Sequence, residues 1–449
     1  MTAVTRALAR FAVATQYDAL PANIRHEGVR AFVNWVGCAA GGSQEDAIER
    51  SLGVLTEFNG AASSTVVGRR EKLDALNAAF VNSMSSAALA YNDTHFVTVA
   101  HPTSPVGAAL LALAERQPVS GKEFVRAVAL ANEIQCRVGA ILVTPPAESA
   151  IGLSMAGLVG CIGAAIAAGI IMEFDEDRMT TAIGLAANQS AGLRETHASN
   201  GSQYIQGHTA RCGLLAAFLT ARGFTCNDGV VEGPKGFGVG FARQPQFDVA
   251  LDKLGEVWEI STLAYKPYPS GFVIHPVIDA CLDIAQNNKY DPANIERIEL
   301  TLNPLAVQLT SRPNPTTRNQ AMVSLQHWTA VSLIYKAAGI RQLADTILRD
   351  PLVAALRAKI NMKTDDAVGR EAATARIVFK DGKALEATVK DCRGSAGRPL
   401  TDEDISVKTL DQLRVAFAAA DAERIVAECW KIEQFPRVEP LAKMLGVKD

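Results

Sequence analysis

Aromatic residues are scarce, at 6% of this 449-residue chain. Few rings are available for bases to stack on, which argues against a single-stranded nucleic-acid platform. Long runs of like charge are missing too. With 44 basic and 47 acidic residues the net charge is -3, so the basic footprint of a nucleic-acid binder is absent at chain level. The eight cysteines (Cys38, Cys136, Cys161, Cys212, Cys226, Cys281, Cys392, Cys429) never fall in a C-x-x-C spacing. They read as buried, reduced thiols of a cytoplasmic protein, and no zinc or iron–sulfur site is expected.

Several motifs are also lacking. No G-x-G-x-x-G follows a strand, and there is no Walker sequence. Gly152-Leu153-Ser154-Met155-Ala156 lacks the closing glycine of a nucleophile elbow. Nucleotide-cofactor chemistry and serine hydrolysis therefore drop out, and no cofactor is expected. Residues 1–14 have no compact apolar core with a small-residue cleavage site, so they do not read as a secretory signal. Ile151 to Met172 carries no charge and is long enough to cross a bilayer. It is rich in Gly and Ala and has no aromatic anchors. We read it as a buried helix, not a span, with Gly152, Gly157, Gly160 and Gly163 allowing close approach of neighbours.

What is present is a large supply of apolar residues, 48% of the chain. A single core rarely grows beyond roughly 250–300 residues, so two domains are expected. Ala-rich helical runs recur at Val29–Ala40, Leu73–Ala90, Val106–Glu115, Gly121–Val138, Gly157–Ile171, Arg178–Ser190 and Gly207–Arg222. Val230–Phe241 is Gly-rich and reads as loop. The character changes near Pro269. Ile295–Leu302 alternates apolar and polar residues as a half-buried strand does. Ala375–Phe379 and Leu385–Val389 flank Asp381-Gly382 as a hairpin. Helical runs lie between them at Trp328–Ala338 and Pro351–Lys359. The tail from Asp402 to Leu445 returns to helix. The expected fold is mainly α: a large all-helical domain over 1–265, a smaller α+β domain over 266–398, and a helical segment over 399–449 that rejoins the first domain.

Two polar clusters stand out from this apolar background. The first is Tyr91-Asn92-Asp93-Thr94-His95, followed by His101-Pro102. The second is Lys266-Pro267-Tyr268-Pro269-Ser270, leading to His275-Pro276. Together they look like two halves of one acid–base site. Asp93 follows an apolar helix, and an acid at a helix C-terminus opposes the macrodipole, which favours a functional role over a plain turn. His101 precedes a proline and should sit extended on a loop. A lysine among apolar and aromatic neighbours, as Lys266 is, can lose its charge by desolvation. The bland alternative is a hinge lysine that reaches out to water. His275 repeats the His-Pro arrangement, with capping of the next helix as its rival role. Arg194, just past Gly192, could clamp a carboxylate or simply pair with Glu195. His95, Thr94 and Tyr268 are candidates for substrate contact.

At these residues the chain resembles the MmgE/PrpD superfamily. That superfamily includes 2-methylcitrate dehydratase, cis-aconitate decarboxylase and iminodisuccinate epimerase. The likeness extends through Gly213-Leu214-Leu215-Ala216-Ala217, Glu232-Gly233-Pro234-Lys235-Gly236-Phe237 and Cys392-Arg393-Gly394. It implies a helical domain built from both chain ends, an inserted α+β domain, a homodimer and no metal. Two departures matter. Ser154 stands where dehydratase and decarboxylase members often carry His. Ser202 to Gly207 replaces their Lys-x-x-His-x-Gly, so Lys becomes Ser202 and His becomes Ile205. The resemblance with these two losses implies proton removal and return beside a carboxylate, closest in character to the epimerase. The expected catalytic residues are Lys266, His101, Asp93 and His275, and the expected substrate is a small carboxylate. A dehydratase of a hydroxy di- or tricarboxylate is the alternative, and a non-catalytic binding protein on the same fold is a second. No nucleic-acid or membrane partner is expected.

Overall fold

The computed structural model describes residues 3–447. Nine helices open the chain: α1 (Val4–Ala14), α2 (Ala22–Gly42), α3 (Asp46–Leu55), α4 (Ala75–Ala88), α5 (Thr103–Ala114), α6 (Gly121–Val143), α7 (Met155–Ile171), α8 (Glu176–Ala187) and α9 (Asn200–Ala221). Local chemistry sets several starts. Asp74 receives the N–H groups of Leu76 and Asn77 at the head of α4, Ser120 caps α6, and Asp175 caps α8.

All 17 residues of α7 are buried. A helix apolar on every side must be surrounded, and α7 packs against α5, α6, α8 and α9. No helix among the described residues is long and apolar enough to cross a membrane. Small residues make this packing close. A Cβ on Gly160 would sit 2.9 Å from Cβ of Thr209 on α9, and one on Gly213 would collide with the carbonyl oxygen of Cys161. Backbone cannot yield as a flexible side chain can. Gly213→Ala is therefore expected to destabilise the protein by about 1–3 kcal/mol, read as a lower denaturant midpoint at unchanged slope. A midpoint equal to wild type would mean that α7 and α9 can separate at no cost.

Two short strands, β1 (Asp93–His95) and β2 (Leu263–Tyr265), pair antiparallel, with Asp93 opposite Tyr265 and His95 opposite Leu263. Beyond them lie α10 (His275–Asn287), β3 (Ile295–Leu302), α11 (Pro304–Thr310), α12 (Leu325–Tyr335), β4 (Ile360–Thr364), β5 (Ala373–Phe379) and β6 (Ala384–Val389). The four-stranded sheet runs β6-β5-β3-β4. The β5–β6 hairpin and the alternating β3 form as the sequence suggests. Strand β4 was not expected, and it pairs parallel to β3. It is mostly exposed and lacks clean alternation, so its periodicity is weak. The chain ends with α13 (Asp402–Leu413), α14 (Ala419–Trp430) and a last short helix, Glu439–Met444.

Apolar burial gathers in two main clusters. One runs from Val4 to Tyr265 and takes in Leu400 to Leu445. The other holds Tyr268 to Phe379, where α10 lies on β5 and β6 and α12 packs on α10. The C-terminal helices join the first cluster because α13 lies on α2, against Gly37 and Gly41.

Two expected elements shift. Helix α9 begins at Asn200, well before Gly207, because Ser199 accepts the Gly201 N–H and starts it there. The Gly-rich stretch 230–241 is turns closed by one helical turn, Phe237–Phe241.

Candidate functional site

Pairing of β1 with β2 is what joins the two polar clusters. It sets Lys266, the residue after β2, beside Asn92, the residue before β1. Lys266 Nζ donates to Asn92 Oδ1 at 2.9 Å, and Lys266 is 2% exposed. Both residues line a cavity of about 160 Å³. The wall also carries Thr94, His101, Ser154, Arg194, His197 and Ser202, with Ile205, Gln206 and Thr310. The start of α7, the first turns of α9 and the end of α11 thus face the β1–β2 corner.

Electrostatics in the cavity follow from burial. Desolvation holds the Lys266 ammonium down to about 7, opposed by the nearby Asp93 carboxylate and reinforced by Lys408. Burial keeps His101 well below its ordinary value, and Lys266 adds to that. His101 Nδ1 lies 2.8 Å from the carbonyl oxygen of Asp93. A carbonyl can only accept, so Nδ1 carries the proton and Nε2 is the basic nitrogen. His197 is pushed down to about 4 by burial first and then by Arg194, Arg312 and Lys266. More than a third of its surface is open, so water tempers that shift.

Of the eight residues singled out from sequence, four lie on the cavity wall: Lys266, His101, Thr94 and Arg194. Asp93 sits behind it, 1% exposed. The sequence suggested that Asp93 opposes the dipole of the preceding helix. Instead α4 ends at Ala88, and Asp93 accepts the backbone N–H (3.2 Å) and hydroxyl (2.6 Å) of Thr103, at the N-terminus of α5. Its charge therefore meets the favourable end of a helix. His95 points away, with Nε2 3.0 Å from Glu259 and Nδ1 2.8 Å from Thr98. Tyr268 donates to Asp279 at 2.5 Å. His275, the first residue of α10, is fully buried between the rings of Tyr268 and Phe272, and it is Phe272 that faces the cavity. Close packing of apolar rings there kept His275 off the wall.

Several residues were missed as site candidates. Asn92 appeared only as part of a motif, yet it holds the Lys266 amine. Lys408, from α13, donates to Asn34 Oδ1 (2.6 Å) and to the Tyr91 carbonyl (2.7 Å), and lies over the Tyr91 ring. It braces the segment that carries Asn92, and no local pattern in a C-terminal helix signals such a role. Ser154 fell inside the stretch from Ile151 to Met172 that read as one buried helix. It is the residue just before α7 and opens onto the cavity. His197 and Gln206 had no signal beyond their residue type. Among the described residues no group of three or more His, Cys, Asp or Glu is arranged to hold a metal ion.

The shift on Lys266 carries a stability consequence. The folded-state value is near 7 and the unfolded value near 10.4, so the unfolded chain binds more protons between them. Stability from this group therefore rises with pH across that window, by about 1.4 kcal/mol per pH unit. Lys266→Met should remove that slope from urea midpoints measured between pH 7 and 10. An unchanged slope would mean that the amine is solvated in the fold.

A mainly helical protein with a second sheet-backed core and a cavity lined by Lys266, Arg194 and His101 is the class defined by these features. The chain belongs to the MmgE/PrpD family, matching its N-terminal domain over residues 6–250 and its C-terminal domain over residues 268–432. It is similar to a cis-aconitate decarboxylase of Aspergillus terreus, 24% identical over 478 residues that cover 99% of this chain and 96% of that protein. It is also similar to the Homo sapiens cis-aconitate decarboxylase, 24% identical over 367 residues covering 78% of this chain and 75% of that protein.

Proposed function

We propose that this chain is a cofactor-independent enzyme that moves a proton at a carbon next to a carboxylate, and that the outcome is epimerisation. The observation that carries this reading is the buried Lys266 amine, poised near neutrality at the cavity wall together with a neutral His101. A proton α to a carboxylate is weakly acidic, and its removal builds an enolate-like dianion. Lys266 in its ammonium form and the Arg194 guanidinium would stabilise that charge. Arg194 Nε is tied to the Leu153 carbonyl at 2.9 Å, which leaves its terminal nitrogens for a carboxylate.

In this reading the neutral His101, with a free lone pair on Nε2, takes the proton, and Lys266 in its ammonium form returns one. Asp93 orients the pair through its backbone carbonyl and its charge. The substrate class is a small di- or polycarboxylate such as iminodisuccinate. Ser154, Ser202 and Ile205, which replace the polar groups of dehydratase and decarboxylase members, all face the same cavity. With those groups gone, the lysine and histidine positions that those members carry are not there to protonate a departing hydroxyl. That favours epimerisation over a dehydratase of a hydroxy di- or tricarboxylate.

Decarboxylation is the second reading, favoured by the names of the relatives. It uses the same Lys266 proton on the carbanion left after carbon dioxide departs. Incubation with di- and tricarboxylates in deuterium oxide separates the two. Deuterium wash-in with carbon count conserved supports epimerisation, and release of carbon dioxide supports the second reading. Neither event with any such acid would leave the fold as a binding protein.

We also propose the division of the chain at about residues 266 and 399, and a homodimer formed through the helical part. Light scattering at micromolar concentration should return twice the 47.7 kDa chain mass. The mass of one chain would count against the dimer.

A further inference from the structure

Away from the cavity, α7 and α9 carry a second cluster that the proposed chemistry does not use. Cys161 on α7 and Cys212 on α9 are free thiols on the packed faces of these two helices. The backbones are close at this point, since the neighbouring Gly213 lies against the Cys161 carbonyl. His208, one turn before Cys212 on α9, places Nδ1 3.6 Å from the Cys212 sulfur. Its Nε2 lies 3.2 Å from the carbonyl oxygen of Gln189, which also receives the Cys161 thiol at 3.8 Å. The carbonyl must accept, so His208 carries its proton on Nε2 and offers the Nδ1 lone pair to Cys212. Cys161 is buried, while Cys212 is half-exposed.

We propose that Cys212 and Cys161 form a hydroperoxide-oxidisable dithiol, with Cys212 as the attacking thiolate, Cys161 as the resolving thiol and His208 as the base that activates the first. In the first step the Cys212 thiolate attacks the distal peroxide oxygen. The O–O bond breaks, water or an alcohol leaves once protonated, and Cys212 becomes a sulfenic acid. In the second step the Cys161 sulfur attacks the Cys212 sulfur. An S–S bond forms, the S–O bond breaks, and the hydroxyl leaves as water with the Cys161 proton. Two thiols are oxidised and one hydroperoxide is reduced.

The electrostatics agree with this division of labour. The neighbouring Cys161 thiol and the contact with His208 lower the Cys212 thiol, against burial. The Cys212 partner and burial hold the Cys161 thiol well above its ordinary value. A depressed, accessible thiolate beside a protonated partner is the arrangement that selects one sulfur for oxidation.

The bond would reach the cavity. Cys161 lies about two turns along α7 from Ser154, and Cys212 about two turns along α9 from Ile205, so both helices present a wall residue at a fixed distance from the crosslink. A disulfide holds Cβ atoms roughly 3.5–4.5 Å apart, so the crosslink would lock α7 to α9 and fix Ser154 and Ile205 relative to each other.

The test uses the full chain, treated with hydrogen peroxide and mapped without reduction. The expected product is a peptide pair joining Cys161 and Cys212, restored to free thiols by dithiothreitol. In Cys161→Ala the reaction should stop at a dimedone-reactive Cys212. In His208→Gln, alkylation of Cys212 by iodoacetamide at neutral pH should slow about tenfold or more. Each variant is compared only if its thermal melt matches wild type, and Cys161→Ser serves where Cys161→Ala does not fold. Preferential oxidation of another cysteine, no Cys161–Cys212 pair, or unchanged alkylation in His208→Gln would each overturn the proposal.

Discussion

Lys266→Ala is expected to lower deuterium wash-in at the substrate α-carbon by about 10²–10⁴-fold, the cost of losing a positioned acid–base group. The structure gives a reason for a value toward the top of that range. The amine is buried, held by Asn92, and held near 7 by desolvation, so at neutral pH it is both a proton donor and a cation. A wall alanine supplies neither. The pH profile sharpens the test. Because Lys266 returns the proton in the favoured direction, its protonated form is the productive one, and kcat/KM for the free enzyme should fall as pH rises through about 7. Lys266→Arg keeps a cation that does not titrate in this range and should lose both that limb and most of the rate. Wild-type activity that rises through pH 7 would instead make Lys266 the base, and the direction assigned above would reverse.

The second large effect is expected for His101→Asn, again about 10²–10⁴-fold. An asparagine amide can reproduce the Nδ1–H bond to the Asp93 carbonyl but has no counterpart to the basic Nε2. The loss should therefore fall on kcat, with KM little changed, because the wall keeps its shape and Arg194 keeps its charge. Ser154→Ala is the contrast. Ser154 lines the cavity, and removal of its hydroxyl should change the rate less than about threefold. A Ser154→Ala variant as slow as His101→Asn would give Ser154 a chemical role and undo the argument from its replacement of a histidine. Near-normal wash-in in His101→Asn would move the proton to another wall group, with His197 the first to examine.

The legible and illegible parts of the site differ in kind. Lys266 and His101 announced themselves because each breaks an apolar or proline-stiffened setting, and such a break is visible within ten residues of sequence. His275 had the same local sign, yet its ring packs between Tyr268 and Phe272. Tyr268 and His95 also looked available, but each is committed to a carboxylate, Tyr268 to Asp279 eleven residues on and His95 to Glu259 far along the chain. Local chemistry cannot tell an open imidazole from one already paired. Lys408 lies more than three hundred residues from the Tyr91 carbonyl that it holds, and nothing in its own helix marks it.

By itself the sequence determined the helices of the first core, the β5–β6 hairpin, the alternating β3 and the presence of two polar clusters. These follow from short-range periodicity, turn chemistry and composition, all of which act over a few residues. Tertiary structure alone decided which clustered residues reach the cavity. The β1–β2 pair is three residues on each side, too short to carry a period, and exists only because distant segments complete each other's hydrogen bonds. That pairing sets Lys266 against Asn92 and turns Asp93 toward the start of α5. The packing of α7 on α9 likewise put Ser154 and Ile205 on one wall and Cys161 beside Cys212. Contacts between segments far apart in sequence are fixed by the burial of whole surfaces, and no local pattern contains them.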